Sequence, residues 1–351
     1  MTKKKILIVG AYGVGNLGDE AILAGILNVL RADIDLDRNK VIVFSRNPGE
    51  TTRFHGVDAR RRNPFDLLTA NEVIIGGGEL FQDLGNMAIK YSLLGLITKI
   101  IRKRVMFYAI GVSSNRSRLG KFLMRLGLNV ADNISVRDRA SKKHLLDIGV
   151  NKTISIVNDP SHHAESISRE AASCLFAREG VLLDERKIRI GITSQRFRNK
   201  ELNERMHKFL SSFLRDILAK YPNVYVVFAP FNSHMDDPLD RDIIYGKRLE
   251  KCLETDRFKV LRNKYTPQEM MGAFGLLDIV ISTLLHPLIF AFKMDVSAIG
   301  IGVFEKVFSY CQHHNINVVK IDELKKLYNL TDNLINQKLR KDEECKHLTP
   351  T

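Results

Sequence analysis

Four cysteines stand in 351 residues (Cys174, Cys252, Cys311 and Cys345), far apart and with no C-x-x-C pair. A disulfide framework and a structural zinc site both need closer, regular spacing, so neither is expected, and such usage suits a reducing cytoplasm. Apolar runs of the roughly 20 residues needed to cross a bilayer are also missing. The start, MTKKKILIVGAYG, has the basic-then-apolar order of a signal peptide, but its run is short and leads into a glycine turn and two acids. A first strand after a basic tail is the reading. Acids are absent from one long stretch: none lies between Lys90 and Ala131, where Lys99, Arg102, Lys103, Arg104, Arg116, Arg118, Lys121 and Arg125 fall. The whole chain carries 54 Lys+Arg against 40 Asp+Glu, a formal charge of +14. That balance suits anionic partners. Phosphate groups and an anionic membrane surface are the expected ones, and nucleic acid is not. The segment 87–104, apolar with a basic end, together with Arg116, Arg118, Lys121 and Arg125 nearby, is expected to hold a cytoplasmic protein peripherally at a membrane's inner face.

The remaining composition is that of a globular protein, 44% hydrophobic and 27% charged. A chain of this length exceeds what one core usually organises, which predicts two domains. Short β-branched runs recur at 5–11, 40–46, 72–78, 104–111, 133–138 and 153–158, with helices expected at 19–31 and 87–101. A second series follows at 187–194, 223–230, 257–263, 277–283, 297–302 and 317–322. Near-continuous apolar runs bounded by Gly, Asn or Asp are the mark of parallel strands buried on both faces. The expected fold is therefore α/β, with two doubly wound, Rossmann-like domains facing each other across a cleft. The first would span 1–165 and the second 185–322, joined near 162–186, with a charged helical tail at 323–351.

Ligands of open parallel sheets bind beyond the carboxyl ends of the strands. After the first strand comes GAYGVGNLGDEAIL (10–23), which contains G-x-G-x-x-G at Gly13, Gly15 and Gly18. A dinucleotide loop would place its first glycine at the strand end and offer the helix N-terminus to pyrophosphate. Here the glycines come late, Asp19 and Glu20 occupy the first helical turn, and the second strand ends in Ser45-Arg46 instead of an acid. The loop is read as lining a cleft, with only a weak NADP-type alternative. Gly76-Gly77-Gly78 forms a second glycine loop after the third run, where a ligand could approach the backbone.

Taken in order, GNLGDEAIL (15–23), GGGELFQD (76–83), SVRDRAS (135–141), NDP (158–160), IGITSQRF (190–197), FAPFNSHMDD (228–237), DIVISTLLHPLIFAF (278–292) and IGVFEKVFSY (301–310) resemble the polysaccharide pyruvyl transferase family. The resemblance covers roughly residues 5–320. It implies a fold like that of GT-B glycosyltransferases, and transfer of a pyruvyl group from phosphoenolpyruvate, as co-substrate, to a sugar as a ketal. The acceptor would be a cell-surface polysaccharide or a lipid-linked saccharide. The family's S-x-R-x-H signature is kept at Ser282 and His286, but Leu284 stands at its arginine. Ser113-Ser114 replaces a glycine-proline turn.

The resemblance makes His286 the general acid that protonates the methylene carbon of phosphoenolpyruvate. Pro287 favours a helix start, predicting a helix over 287–293 that presents His286. With Leu284 neutral, Arg196 is the first choice for holding the donor's carboxylate or phosphate, and Lys306 the second. Ser282 joins them on the donor side. Gly15, Asn16, Asp19, Gly77, Gly78, Gln82 and Asp83 are the candidates on the acceptor side. Arg137 is expected to pair with Asp138 or Asp159. Asp236-Asp237 is read as a helix start and not as a sugar-nucleotide metal site, and His162-His163 and the 311–314 cluster lack zinc-ligand spacing, so no metal and no other cofactor are expected. Two alternatives remain: a catalytically altered family member that binds saccharides or assembles with others, and a different GT-B-like glycosyltransferase.

Overall fold

A computed structural model describes residues 4–33, 40–81, 87–113, 117–184, 186–233 and 241–348. The chain divides into two compact units, Met1–Glu165 and Ser166–Thr351.

The first unit is built on β1 (Lys5–Val9), β2 (Lys40–Phe44), β3 (Asp58–Arg60), β4 (Glu72–Gly76), β5 (Arg104–Ile110), β6 (Asn133–Val136) and β7 (Ile154–Ile156). They form one sheet in the order β3-β2-β1-β4-β5-β6-β7, and each pair is parallel. The connecting helices are α1 (Leu17–Asp33), α2 (Pro48–His55), α3 (Pro64–Thr69), α4 (Met87–Ile100), α5 (Arg118–Asn129) and α6 (Arg139–Asp147). Side chains alternate across a strand, so both faces need cover. Leu7 and Val9 of β1 join one core with Tyr91, Met124 and Leu128. Ile6 and Ile8 join another with Ile22, Leu23 and Ile26.

The second unit repeats the arrangement. Its strands β8 (Ile188–Thr193), β9 (Val224–Phe228), β10 (Phe258–Val260), β11 (Ile279–Ser282), β12 (Ser297–Gly302) and β13 (Asn317–Lys320) lie in the order β10-β9-β8-β11-β12-β13, all parallel. Its helices are α7 (Arg169–Arg178), α8 (Lys200–Lys220), α9 (Asp242–Leu253), α10 (Pro267–Phe274), α11 (Leu285–Lys293), α12 (Glu305–His313) and α13 (Lys326–Leu348). Helix α13 packs on β12 and β13, with Leu327 and Ile335 buried. The polar stretch between the two strand series is shared out: the turn Pro160–His163 packs on α1, and α7 packs on α10.

Both sheets therefore run outward in two directions from a central pair, β1/β4 and β8/β11. That reversal is the switch point at which doubly wound sheets bind ligands. Among the described residues no helix is long and apolar enough to cross a membrane.

Candidate functional site

In the first unit the loops at the switch point are bonded to one another. Asn16 caps α1, its Oδ1 accepting from Gly18 N at 2.9 Å and Asp19 N at 3.4 Å. Glu20 turns back from the first helical turn: Oε1 accepts from Gly13 N at 2.7 Å, and Oε2 lies 2.8 Å from His55 Nε2 in a buried pair. The Tyr12 hydroxyl donates to Gly76 O at 2.7 Å. Burial, with Asp19 adding to it, pushes that phenol well above its ordinary range and keeps it a donor.

Gly77 and Gly78 have φ of +75° and +78°, a conformation that disfavours other residues. A Cβ on Gly77 would stand 1.8 Å from Ile22 Cγ2, and one on Gly78 would stand 2.9 Å from Asp19 Oδ1. The close approach expected of a ligand is thus made at both glycines by α1. Gly15, Asn16 and Asp19 are half-buried along this loop, while Gly77 and Gly78 are buried beneath it. Gln82 and Asp83 lie outside the described residues. Arg137 forms the ion pairs anticipated for it, 3.4 Å from Asp159 and 3.6 Å from Asp138.

The second unit's switch point is organised differently. Ser282, at the end of β11, is buried, and its hydroxyl contacts Thr193 Oγ1 at 2.5 Å. The same oxygen is 2.8 Å from both the amide nitrogen and the carbonyl oxygen of Leu284. These contacts fasten β11 to β8 and shape the turn into α11, so Ser282 holds the turn in place instead of reaching outward. Helix α11 starts two residues earlier than the proline predicts. Leu284 takes the N-cap position, Leu285 and His286 the first turn, and Pro287 follows them. A proline is tolerated throughout the first turn, where its missing N–H costs no helical bond. His286 is half-buried with its Nε2 atom buried.

Arg196 follows β8 and is exposed, with no ion pair among the described residues. Lys306 sits half-buried in the first turn of α12, its Nζ 5.7 Å from the Phe304 ring centroid. Phe197 and Phe304 meet with centroids 6.1 Å apart. That contact ties the loop carrying Arg196 to the loop carrying Lys306. Because β8, β11 and β12 are neighbours, Arg196, His286 and Lys306 all emerge from one edge of three adjacent strands. One strand over, Phe231 packs on Phe290 of α11 at 5.5 Å, and buried Asp242 accepts from Phe231 N and Asn232 N. Asp236 and Asp237 fall outside the described residues.

Sequence reasoning passes over three of these groups. Phe197 and Phe304 leave only a weak signal, an aromatic within two residues of each proposed cation. The Glu20–His55 pair leaves none, since 35 residues separate its members.

The comparisons agree with this architecture. The chain is similar to the UDP-GlcNAc 2-epimerase of Neisseria meningitidis bound to UDP-GlcNAc, with a TM-score of 0.64 at 12% identity, over 97% of this chain and 93% of that one. It is similar to the Escherichia coli ADP-heptose LPS heptosyltransferase II, with a TM-score of 0.55 at 10% identity, over 95% and 99%. A Rickettsia africae glycosyltransferase gives 0.60 at 14% identity, over 96% and 89%. Likeness at such identities carries the fold alone: two parallel-sheet α/β domains of the GT-B-like class. No curated protein matches the chain in sequence. The sequence model of the polysaccharide pyruvyl transferase family matches residues 16–303, from the N-cap of α1 to the residue after β12. By that match over most of its length, the chain belongs to the polysaccharide pyruvyl transferase family.

Proposed function

We propose that the protein transfers the pyruvyl group of phosphoenolpyruvate to a sugar of a cell-surface polysaccharide or lipid-linked saccharide. The observation that carries this is the grouping of Arg196, His286 and Lys306 on one strand edge at the second unit's switch point, in a member of this family.

His286 delivers a proton to the methylene carbon, which leaves C2 cationic. A sugar hydroxyl adds at C2 and loses its proton, the C2–O bond to phosphate breaks, and inorganic phosphate departs. A second hydroxyl of the same sugar then adds to C2 and gives its proton to the departing phosphate, which closes the ketal. Arg196 pairs with the carboxylate or phosphate through two parallel hydrogen bonds. Lys306 contributes a second positive charge. Together they supply the cation that Leu284 cannot. The donor's own phosphate favours the protonated form of His286, so the proton is in place when the donor is bound. The acceptor is assigned to the first unit's switch-point loops, where Gly15, Asn16 and Asp19 remain partly accessible.

Incubating the protein with phosphoenolpyruvate and a glycan fraction from its own cells tests the reading. Release of phosphate together with a pyruvyl mass gain on the glycan is expected. A second reading rests on Leu284: a family member that has given up transfer and binds saccharides. Glycan binding with neither phosphate release nor mass gain would select it.

A further inference from the structure

Helix α5 shows three faces. Gly120, Met124, Gly127 and Leu128 turn inward, and a Cβ on Gly127 would stand 2.5 Å from Ser92 O, so α5 lies close against α4. Leu119, Phe122 and Leu126, spaced i, i+3, i+7, form an outward stripe with exposures of 58%, 57% and 39%. Arg118, Lys121 and Arg125 repeat that spacing one residue earlier and are also exposed, giving a basic stripe beside the apolar one. Helix α4 adds its own outward apolar residues, Leu93, Ile97 and Ile100. A soluble surface seldom exposes this many large apolar side chains on two packed helices without a use for them.

Charge narrows the choice of occupant. No Asp or Glu occurs from 84 to 131, and Asp132, the next acid, is bound by Lys99 at 2.6 Å. Beside α5 a cavity of about 390 Å³ is lined by Lys121, Phe122, Arg125 and His144, with Asp147 as its acidic member. A second copy of this chain would cover the apolar stripe but would set basic stripe against basic stripe. An anionic bilayer complements both at once: acyl chains take the apolar side chains, and lipid phosphates meet the cations.

We propose that the outer face of α4 and α5 is a docking surface for an anionic lipid bilayer, centred on Leu119, Phe122 and Leu126 and their neighbours Arg118, Lys121 and Arg125. The sequence expectation names 87–104 and the basic residues of α5, but not the apolar stripe Leu119, Phe122 and Leu126. Ala88, Tyr91, Ser92, Gly95 and Thr98 of α4 are buried, which leaves α5 as the centre of the surface. Arg116 lies outside the described residues. This proposal is independent of the transfer reaction, because no donor or acceptor enters it.

Co-sedimentation of the full chain with vesicles is the test. Binding is expected to vesicles of phosphatidylglycerol and phosphatidylcholine, to weaken with salt, and to be absent with phosphatidylcholine alone. Replacing Arg118, Lys121 and Arg125 by Gln should weaken partitioning about a hundredfold. Replacing Leu119, Phe122 and Leu126 by Ser should weaken it at least about tenfold. Both variants should keep the parent's thermal midpoint, since the six side chains are exposed. Replacing the exposed Lys208, Lys247 and Lys251 of the second unit by Gln should leave binding unchanged. Equal binding to neutral vesicles, or undiminished binding by both α5 variants, would overturn the proposal. So would concentration-dependent dimers abolished by the Leu119/Phe122/Leu126 change without any vesicle binding, which would give the face to a second copy.

Discussion

The two units share one strand order around their switch points, and they treat those points in opposite ways. In the first, the loops after β1 and β4 are filled from within: Ile22 against Gly77, Asp19 beside Gly78, and Glu20 between Gly13 and His55. The one arginine described beside Gly111, Arg137, has a buried side chain paired with Asp159 and Asp138. In the second, Thr193, Ser282 and the Leu284 backbone bond to one another, as do Thr283 and Ser194, and the same strand ends carry an exposed arginine, a half-buried lysine and a half-buried histidine. Topology fixes where ligands can bind. In the proposed reaction the anionic donor goes to the second unit because of the cationic side chains that follow its strands.

The largest expected effect contrasts two strand-end glycines. Gly77→Val must place a β-branched side chain at positive φ and into Ile22, and should cost the first unit about 4 kcal/mol or more. Gly302→Ala, at the end of β12, meets ordinary contacts of 3.4 Å and beyond, and should change stability by less than about 1 kcal/mol. Urea unfolding of both variants measures the difference, and equal losses would erase the contrast.

Glu20→Ala comes next. It leaves His55 buried without its carboxylate and frees Gly13 N, at an expected cost of about 2–4 kcal/mol. The same unfolding curve reads it, and a loss below about 1 kcal/mol would mean that the pair does not hold the loop.

Arg196→Ala should do the reverse. Stability stays within about 0.5 kcal/mol because the side chain is exposed. The KM for phosphoenolpyruvate should rise about 10- to 100-fold, from the roughly 1.5–3 kcal/mol of hydrogen bonds to a charged group. Adding Leu284→Arg to that variant should recover part of the lost affinity, a severalfold fall in KM. No recovery would place Leu284 away from the donor's charge.

Much of this frame is legible in the chain. Twelve apolar runs correspond to twelve of the thirteen described strands, because strands buried on both faces must be apolar throughout. The exception is β3, whose sequence Asp-Ala-Arg sits half-buried at the sheet edge and carries no such signal. The ordered motifs also point to the loops after β1, β4, β8 and β11. What they conceal is contact between distant residues. Nothing local says that Gly77 makes room for Ile22, or that Phe197 meets Phe304. Spacing likewise misplaces the start of α11, because a proline fits at any position of the first turn.

The central claim, that the second unit's edge carries donor chemistry, rests most directly on His286. Phosphate release from phosphoenolpyruvate, in the presence of the cellular glycan fraction, should fall to nearly nothing in His286→Ala, with the unfolding midpoint of the parent retained. Release by His286→Ala at the parent's rate would contradict it.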